Sequence, residues 1–204
     1  MLHLLPGMGA DHRMYAASAW RTLPGARALD WPEHHGETTI TAIATRVIAA
    51  AGIREGDTVV GSSLGGIVGC EIANQLRLRS LVLVGSAQSP SEISTLLALL
   101  HPLASLAPLD LIRVSAGKLP GELCAMFADS QASFIRAMCH AIFTWPGLDG
   151  SICRPLRLHG RRDLVIPAPA DADLLLDGGH LIAMTHAEAC VDFLRQQLPE
   201  FPRG

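Results

Sequence analysis

The chain has 204 residues, 49% of them apolar, with 16 Lys and Arg against 19 Asp and Glu for a formal net charge of −3. That length suits a single domain with a real core, and no block of like charge marks a nucleic-acid or anionic-membrane surface, so the expected partner is a small molecule. The five cysteines, Cys70, Cys124, Cys139, Cys153 and Cys190, are scattered without a CxxC pair or metal-ligand spacing, which fits buried free thiols in a reducing cytosol and predicts no metal site.

The opening segment MLHLLPGMGADHRMY has an apolar stretch too short for a signal-peptide core and lacks a basic flank, so a cytoplasmic location is expected. It also supplies the first strand, Leu2–Leu5. Arg27–Asp30 is the second. Ile40, Ile43, Ala44, Val47, Ile48 and Ala51 then recur at helical spacing behind the capping candidates Thr38 and Thr39. Thr58–Gly61 is a third strand, followed by a more fully buried helix through Leu64, Ile67, Val68, Ile72 and Leu76. Ser80–Val84 is the fourth strand. From about Gln88 to Arg154 the alternation stops: the segment holds helical patterns, no convincing strand, and more apolar residues than a solvent-washed loop would carry. It reads either as a helical layer on the core or as a lid over a pocket. Its longest uncharged span, Ile93 to Leu109, is broken by His101, Pro102 and Pro108 and falls short of the ~20 apolar residues of a membrane helix. Leu156–His159 and Asp173–Leu176 are the last two strands, and Ala187, Cys190, Val191, Leu194 and Leu198 give a C-terminal helix. Strands alternating with helices predict a parallel sheet.

Between the third strand and its helix stands Gly61-Ser62-Ser63-Leu64-Gly65, a G-x-S-x-G turn in the strand–turn–helix setting that the motif requires. A serine there occupies a strained turn, and flanking glycines remove side chains where strand and helix crowd. The start of the helix aims backbone N–H groups and its positive dipole end at the reacting atom. A serine hydroxyl needs a base, and the base needs an orienting acid. Asp163 follows the fifth strand in LHGRRDLVIP, and His180 follows the sixth in DLLLDGGH. Ser63, Asp163 and His180 therefore all lie just beyond the C-terminal ends of strands, the edge where open parallel sheets place their sites. An oxyanion hole would take the backbone N–H of Leu64, next after the serine, and that of Met8, in the Pro6-Gly7-Met8-Gly9 turn after the first strand.

Other polar residues read as structural. His34 and His35 are adjacent on an extended segment and point opposite ways, without a third ligand at sensible spacing. His12 and His101 are surface or partly buried residues that could also line a pocket. His186 belongs to the last helix. Asp177 precedes His180 by only three residues and is a weaker acid candidate than Asp163, while Asp171 and Asp173 are loop and strand-start polars. Cys139 and His140 diverge as helix neighbours.

Taken together, LPGMG, DWPEHHGET, GSSLGG, LVLVGSA, LHGRRDLVIP and DGGH make the chain resemble the α/β-hydrolase fold family, in particular its small bacterial carboxylesterase-like members. The resemblance implies an α/β three-layer sandwich with a mostly parallel, reduced six-stranded sheet, helices on both faces, a core of residues 1–87 and 155–204, and a helical lid over 88–154. The family usually opens with an extra strand pair, missing here, and commonly has His-Gly where this chain has Pro6-Gly7. The implied activity is that of a serine hydrolase on a small-molecule ester or thioester, with no cofactor. The same triad on the same fold also serves carbon–carbon hydrolysis, lyase or perhydrolase chemistry, and a non-catalytic binding protein is the other class.

Only 16 residues separate Asp163 from His180, and they must contain the last strand. A parallel crossover needs a dozen or more residues and usually a helix. The spacing predicts that no full helix joins the last two strands. Leu174 and Leu176 then need cover, either from a symmetric homodimer contact or from the C-terminal helix.

Overall fold

The computed structural model describes residues 1–94 and 121–198. Six strands form one sheet: β1 (Leu2–Leu5), β2 (Ala26–Ala28), β3 (Thr58–Ser62), β4 (Ser80–Val84), β5 (Leu156–Gly160) and β6 (Leu174–Leu176). Their order is β2-β1-β3-β4-β5-β6, and every pairing is parallel. The chain steps outward from β1 to β2, then returns to place β3 on the other side of β1. The gap between the ends of β1 and β3 is therefore a topological switch point, where exit loops diverge and leave a crevice.

Alternate residues of the strands feed two apolar layers. Val59, Leu81 and Leu83 join one with helix α2 (Ile40–Ala51) and helix α3 (Leu64–Gln75), while Val60, Val82, Val84 and Leu158 join the other. The second layer includes Trp20 of α1 (Ser18–Arg21). Thr39 caps α2, its Oγ1 accepting from Ala42 N at 3.1 Å, and Gly52 ends that helix at φ 68°. Every residue of α3 from Leu64 to Ala73 is buried, so this helix runs through the core.

In the 88–154 stretch, the described part holds helices α4 (Gly121–Asp129) and α5 (Ala132–Thr144). Residues 95–120, His101 among them, lie outside the described residues. Leu123 and Met126 of α4 pack into the second layer, and Phe134, Met138 and Ala141 of α5 into the first. These helices share the core's apolar packing. Helix α6 (Ile182–Thr185) and helix α7 (Ala187–Gln197) close the described chain.

Five strand ends differ from expectation, three of them by one added residue: β2 starts at Ala26 rather than Arg27, β3 ends at Ser62 rather than Gly61, and β5 ends at Gly160 rather than His159. The other two are shortened. β2 stops at Ala28 rather than Asp30, because the Asp30 carboxylate accepts from His12 N at 3.0 Å and draws the chain off the sheet edge. β6 starts at Leu174 rather than Asp173, whose carboxylate accepts from Arg157 N at 2.8 Å and whose own N–H donates to Arg157 O at 2.9 Å. No helix joins β5 to β6. The shorter β6 leaves residues 161–173 for the crossover, just enough for an irregular one. Leu174 and Leu176 are partly buried and pack against the second apolar layer.

Candidate active site

Ser63 joins β3 to α3 at φ 52° and ψ −120° and is the one non-glycine residue with positive φ among the described residues. Such a backbone is strained by about 1–3 kcal/mol and persists only where its surroundings dictate it. Here they do. A Cβ on Gly61 would collide with the Gly65 carbonyl, and one on Gly65 with the carbonyls of Leu5 and Pro6. Ser63 N donates to Val84 O at 3.2 Å, and Ser86 Oγ donates to Ser63 O at 2.6 Å. The two peptide units that flank the Ser63 Cα are thus each held, one from the end of β4 and one from the loop after it. Ser86, absent from the candidates drawn from sequence, follows β4 in the VGSA segment.

His180 Nε2 lies 2.9 Å from Ser63 Oγ, and its Nδ1 lies 2.8 Å from Asp163 Oδ2. His180 and Asp163 are buried at 4% and 5% exposure. Asp163 Oδ1 accepts from Val165 N at 2.9 Å and Ile166 N at 3.0 Å, bonds that fix the carboxylate in its turn. The consistent tautomer has Nδ1–H donating to Asp163, which leaves Nε2 as acceptor for the serine proton. Three strand-end turns, far apart in sequence, so bring Ser63, Asp163 and His180 into one hydrogen-bonded line.

The turn after β1 lies over the serine: a Cβ on Gly7 would sit 3.5 Å from Ser63 Cβ. Its Gly7 O accepts from Ala10 N at 3.2 Å and from Trp31 Nε1 at 3.0 Å, and Gly9 takes φ 68°. Tyr15 O–H donates to Leu5 O at 2.7 Å, securing the strand just before the turn, and burial pushes its phenol pKa up. Neither Met8 N–H nor Leu64 N–H donates to a group among the described residues. The roof over the turn comes from the helical stretch. The Phe127 ring of α4 rests on Gly9, and Cys139 Sγ of α5 lies 3.5 Å from Met8 Sδ.

The remaining candidates stand apart from this line. Asp177 is 77% exposed and paired with Arg162 at 3.2 Å. Asp171 and Asp173 pair with Arg157 and Arg154. His34 bonds Ser133 Oγ and Glu37 O, and His35 pairs with Glu33. His12, Asp11 and Asp30 offer ligand atoms within 4.8 Å of one another. Those atoms are already engaged, Asp11 by Arg13 and Asp30 by His12, and the group reads as an ion-pair cluster. Sequence reasoning missed His159. It is fully buried on β5, both ring nitrogens lack a partner among the described residues, and burial, reinforced by the charge of Arg157, lowers its pKa to about 4.

The sequence pattern of the alpha/beta hydrolase family matches residues 4–193. No match is found among curated proteins. Among solved structures, a hydrolase from Pseudomonas aeruginosa PA01 superposes with a TM-score of 0.77 at 19% identity, over 97% of this chain and 89% of its own. A thermophilic esterase from Thermogutta terrifontis gives 0.74 at 17% identity, over 98% and 89%. The type II thioesterase BorB from the borrelidin biosynthetic cluster gives 0.68 at 21% identity, over 97% and 91%. These likenesses are of fold.

Proposed function

The protein is a hydrolase of the alpha/beta hydrolase family, and from that premise we propose that it cleaves a carboxylic ester or thioester through an acyl-enzyme formed on Ser63. The observation that carries this reading is the line Ser63–His180–Asp163, at 2.9 and 2.8 Å, ending on a serine held in a strained elbow. Ser63 Oγ attacks the carbonyl carbon as His180 Nε2 takes its proton. Asp163 stabilises the imidazolium and holds its ring. Negative charge gathers on the former carbonyl oxygen, where the N–H groups of Met8 and Leu64 and the N-terminal dipole of α3 receive it. Collapse of this intermediate expels the alcohol or thiol, which leaves with the proton from His180. Water, deprotonated by the same nitrogen, then releases the acid and restores Ser63.

Residues 88–154 serve as the lid in this reading, and the contacts of Phe127 and Cys139 with the turn over Ser63 support that role. A fluorophosphonate reporter tests the nucleophile. Labelling of the wild-type chain and none of Ser63→Ala is expected, together with turnover of p-nitrophenyl esters. A chain that resists the reporter and hydrolyses none of these esters would overturn the reading.

A further inference from the structure

The Gly7 carbonyl is held twice. Ala10 N–H closes the four-residue turn onto it at 3.2 Å, and the indole N–H of Trp31, from the loop after β2, reaches it at 3.0 Å. The Gly7–Met8 peptide is trans, since no cis bond occurs among the described residues. Its C=O and N–H therefore point in opposite directions across one plane. A single hydrogen bond to the oxygen would let that plane rock about its Cα–Cα axis. A second donor from a different direction removes that freedom, and the Met8 N–H is fixed along with the oxygen.

Trp31 is itself held from the lid side. Its ring lies 5.1 Å, centroid to centroid, from that of Phe134, inclined at 41°. Phe134 is buried on α5 near its N-terminal end. A continuous path of contacts thus runs from α5 through Phe134 and Trp31 to the peptide that carries the Met8 N–H.

We propose that Trp31 is the positioning residue of the oxyanion hole: its indole N–H locks the Gly7–Met8 peptide so that Met8 N–H stays aimed at the developing oxyanion, and its contact with Phe134 makes that aim depend on how α5 is seated. This rests on the reading of Met8 and Leu64 as oxyanion donors. Losing an oxyanion donor outright costs on the order of 10²–10³ in kcat. A donor that is present but free to rock costs less, about tenfold.

The test is Trp31→Phe, which keeps an aromatic ring against Phe134 and removes the N–H. Rates are expressed per active site titrated with fluorophosphonate, so that only folded molecules with a reactive serine are counted. The expected result is a kcat for p-nitrophenyl butyrate about tenfold lower with KM within twofold. Affinity for an alkyl trifluoromethyl ketone, whose adduct with Ser63 places an oxygen anion in the hole, should fall by the same factor. A purely structural role would alter the number of titrated sites and leave kcat per site alone. Phe134→Leu should give a smaller loss in the same direction, and the double variant no further loss than Trp31→Phe. If Trp31→Phe keeps kcat per site within twofold, the role of Trp31 is overturned while a labelled Ser63 leaves the serine-hydrolase reading intact. Multiplying effects in the double variant overturn the coupling to α5. A wild-type chain that is never labelled overturns both readings.

Discussion

His180 Nδ1 and Asp163 Oδ2 lie 2.8 Å apart, with the aspartate side chain fully out of water and the imidazole only 5% exposed. The other oxygen of Asp163 is tied to the amides of Val165 and Ile166, so the carboxylate belongs to its own turn as firmly as to the histidine. Asp163→Asn replaces one acceptor by an amide and favours the wrong imidazole tautomer. We expect kcat to fall on the order of 10⁴-fold, with the fold retained by circular dichroism. Asp177→Asn, on a solvated side chain, should change kcat less than about twofold. A greater loss from Asp177→Asn would move the acid to that position.

Ser62 and Ser63 are neighbours with different surroundings. Ser63→Ala should remove nearly all turnover, on the order of 10⁴-fold or more, without loss of Tm. Ser62 is buried with its Oγ unpartnered among the described residues. Ser62→Ala therefore removes an unsatisfied hydroxyl, so Tm should hold or rise and kcat should be near wild type. Inactivity of Ser62→Ala together with an active Ser63→Ala would reverse the assignment.

His159 makes stability depend on acid. Its folded pKa is lowered to about 4, whereas in the unfolded chain it titrates near 6.5. Between those values the unfolded state binds more protons. The contribution of His159 is therefore unchanged above about pH 6.5 and declines as pH falls toward 4, by at most about 1.4 kcal/mol per pH unit. At pH 5 wild type should have lost about 2 kcal/mol relative to pH 7.5 through this group alone. Urea unfolding of His159→Gln at the two pH values should show a loss smaller by that amount. Equal losses in the two proteins would mean that His159 is solvated or charged in the native state.

Phe127 and Cys139 bring α4 and α5 onto the turn above Ser63, and these helices are rich in apolar side chains. If this stretch acts as the proposed lid, longer acyl groups should be favoured. Each methylene accommodated contributes about 0.8 kcal/mol, roughly fourfold in kcat/KM. A p-nitrophenyl ester series should rise from acetyl through butanoyl to hexanoyl. A flat or falling series would remove the acyl-binding role of this stretch.

Much of the architecture was legible in the sequence because its signals are local. The period of Ile40, Ile43, Ala44 and Val47 selects a helix, and Gly61 and Gly65 flank the serine because a backbone carbonyl occupies the place of each missing Cβ. The absence of a helix between β5 and β6 followed from counting residues. Strand ends were less legible, since the Asp30 and Asp173 carboxylates accept from His12 N and Arg157 N, residues distant in sequence.

By itself the sequence determined which chemistry was available and at which strand ends it would stand: Ser63, Asp163 and His180 each follow an apolar run whose length and composition a strand demands. Only the tertiary structure decided how those ends meet. The reversal of strand order between β2 and β3 sets β1 beside β3, and it brings the turn carrying Met8 over the turn carrying Ser63. Nor could any local pattern show that Trp31 bonds Gly7 O or that His159 is buried without a partner. A hydrogen bond between residues 24 apart and the desolvation of a ring are properties of packed space, settled when strands and helices close on one another.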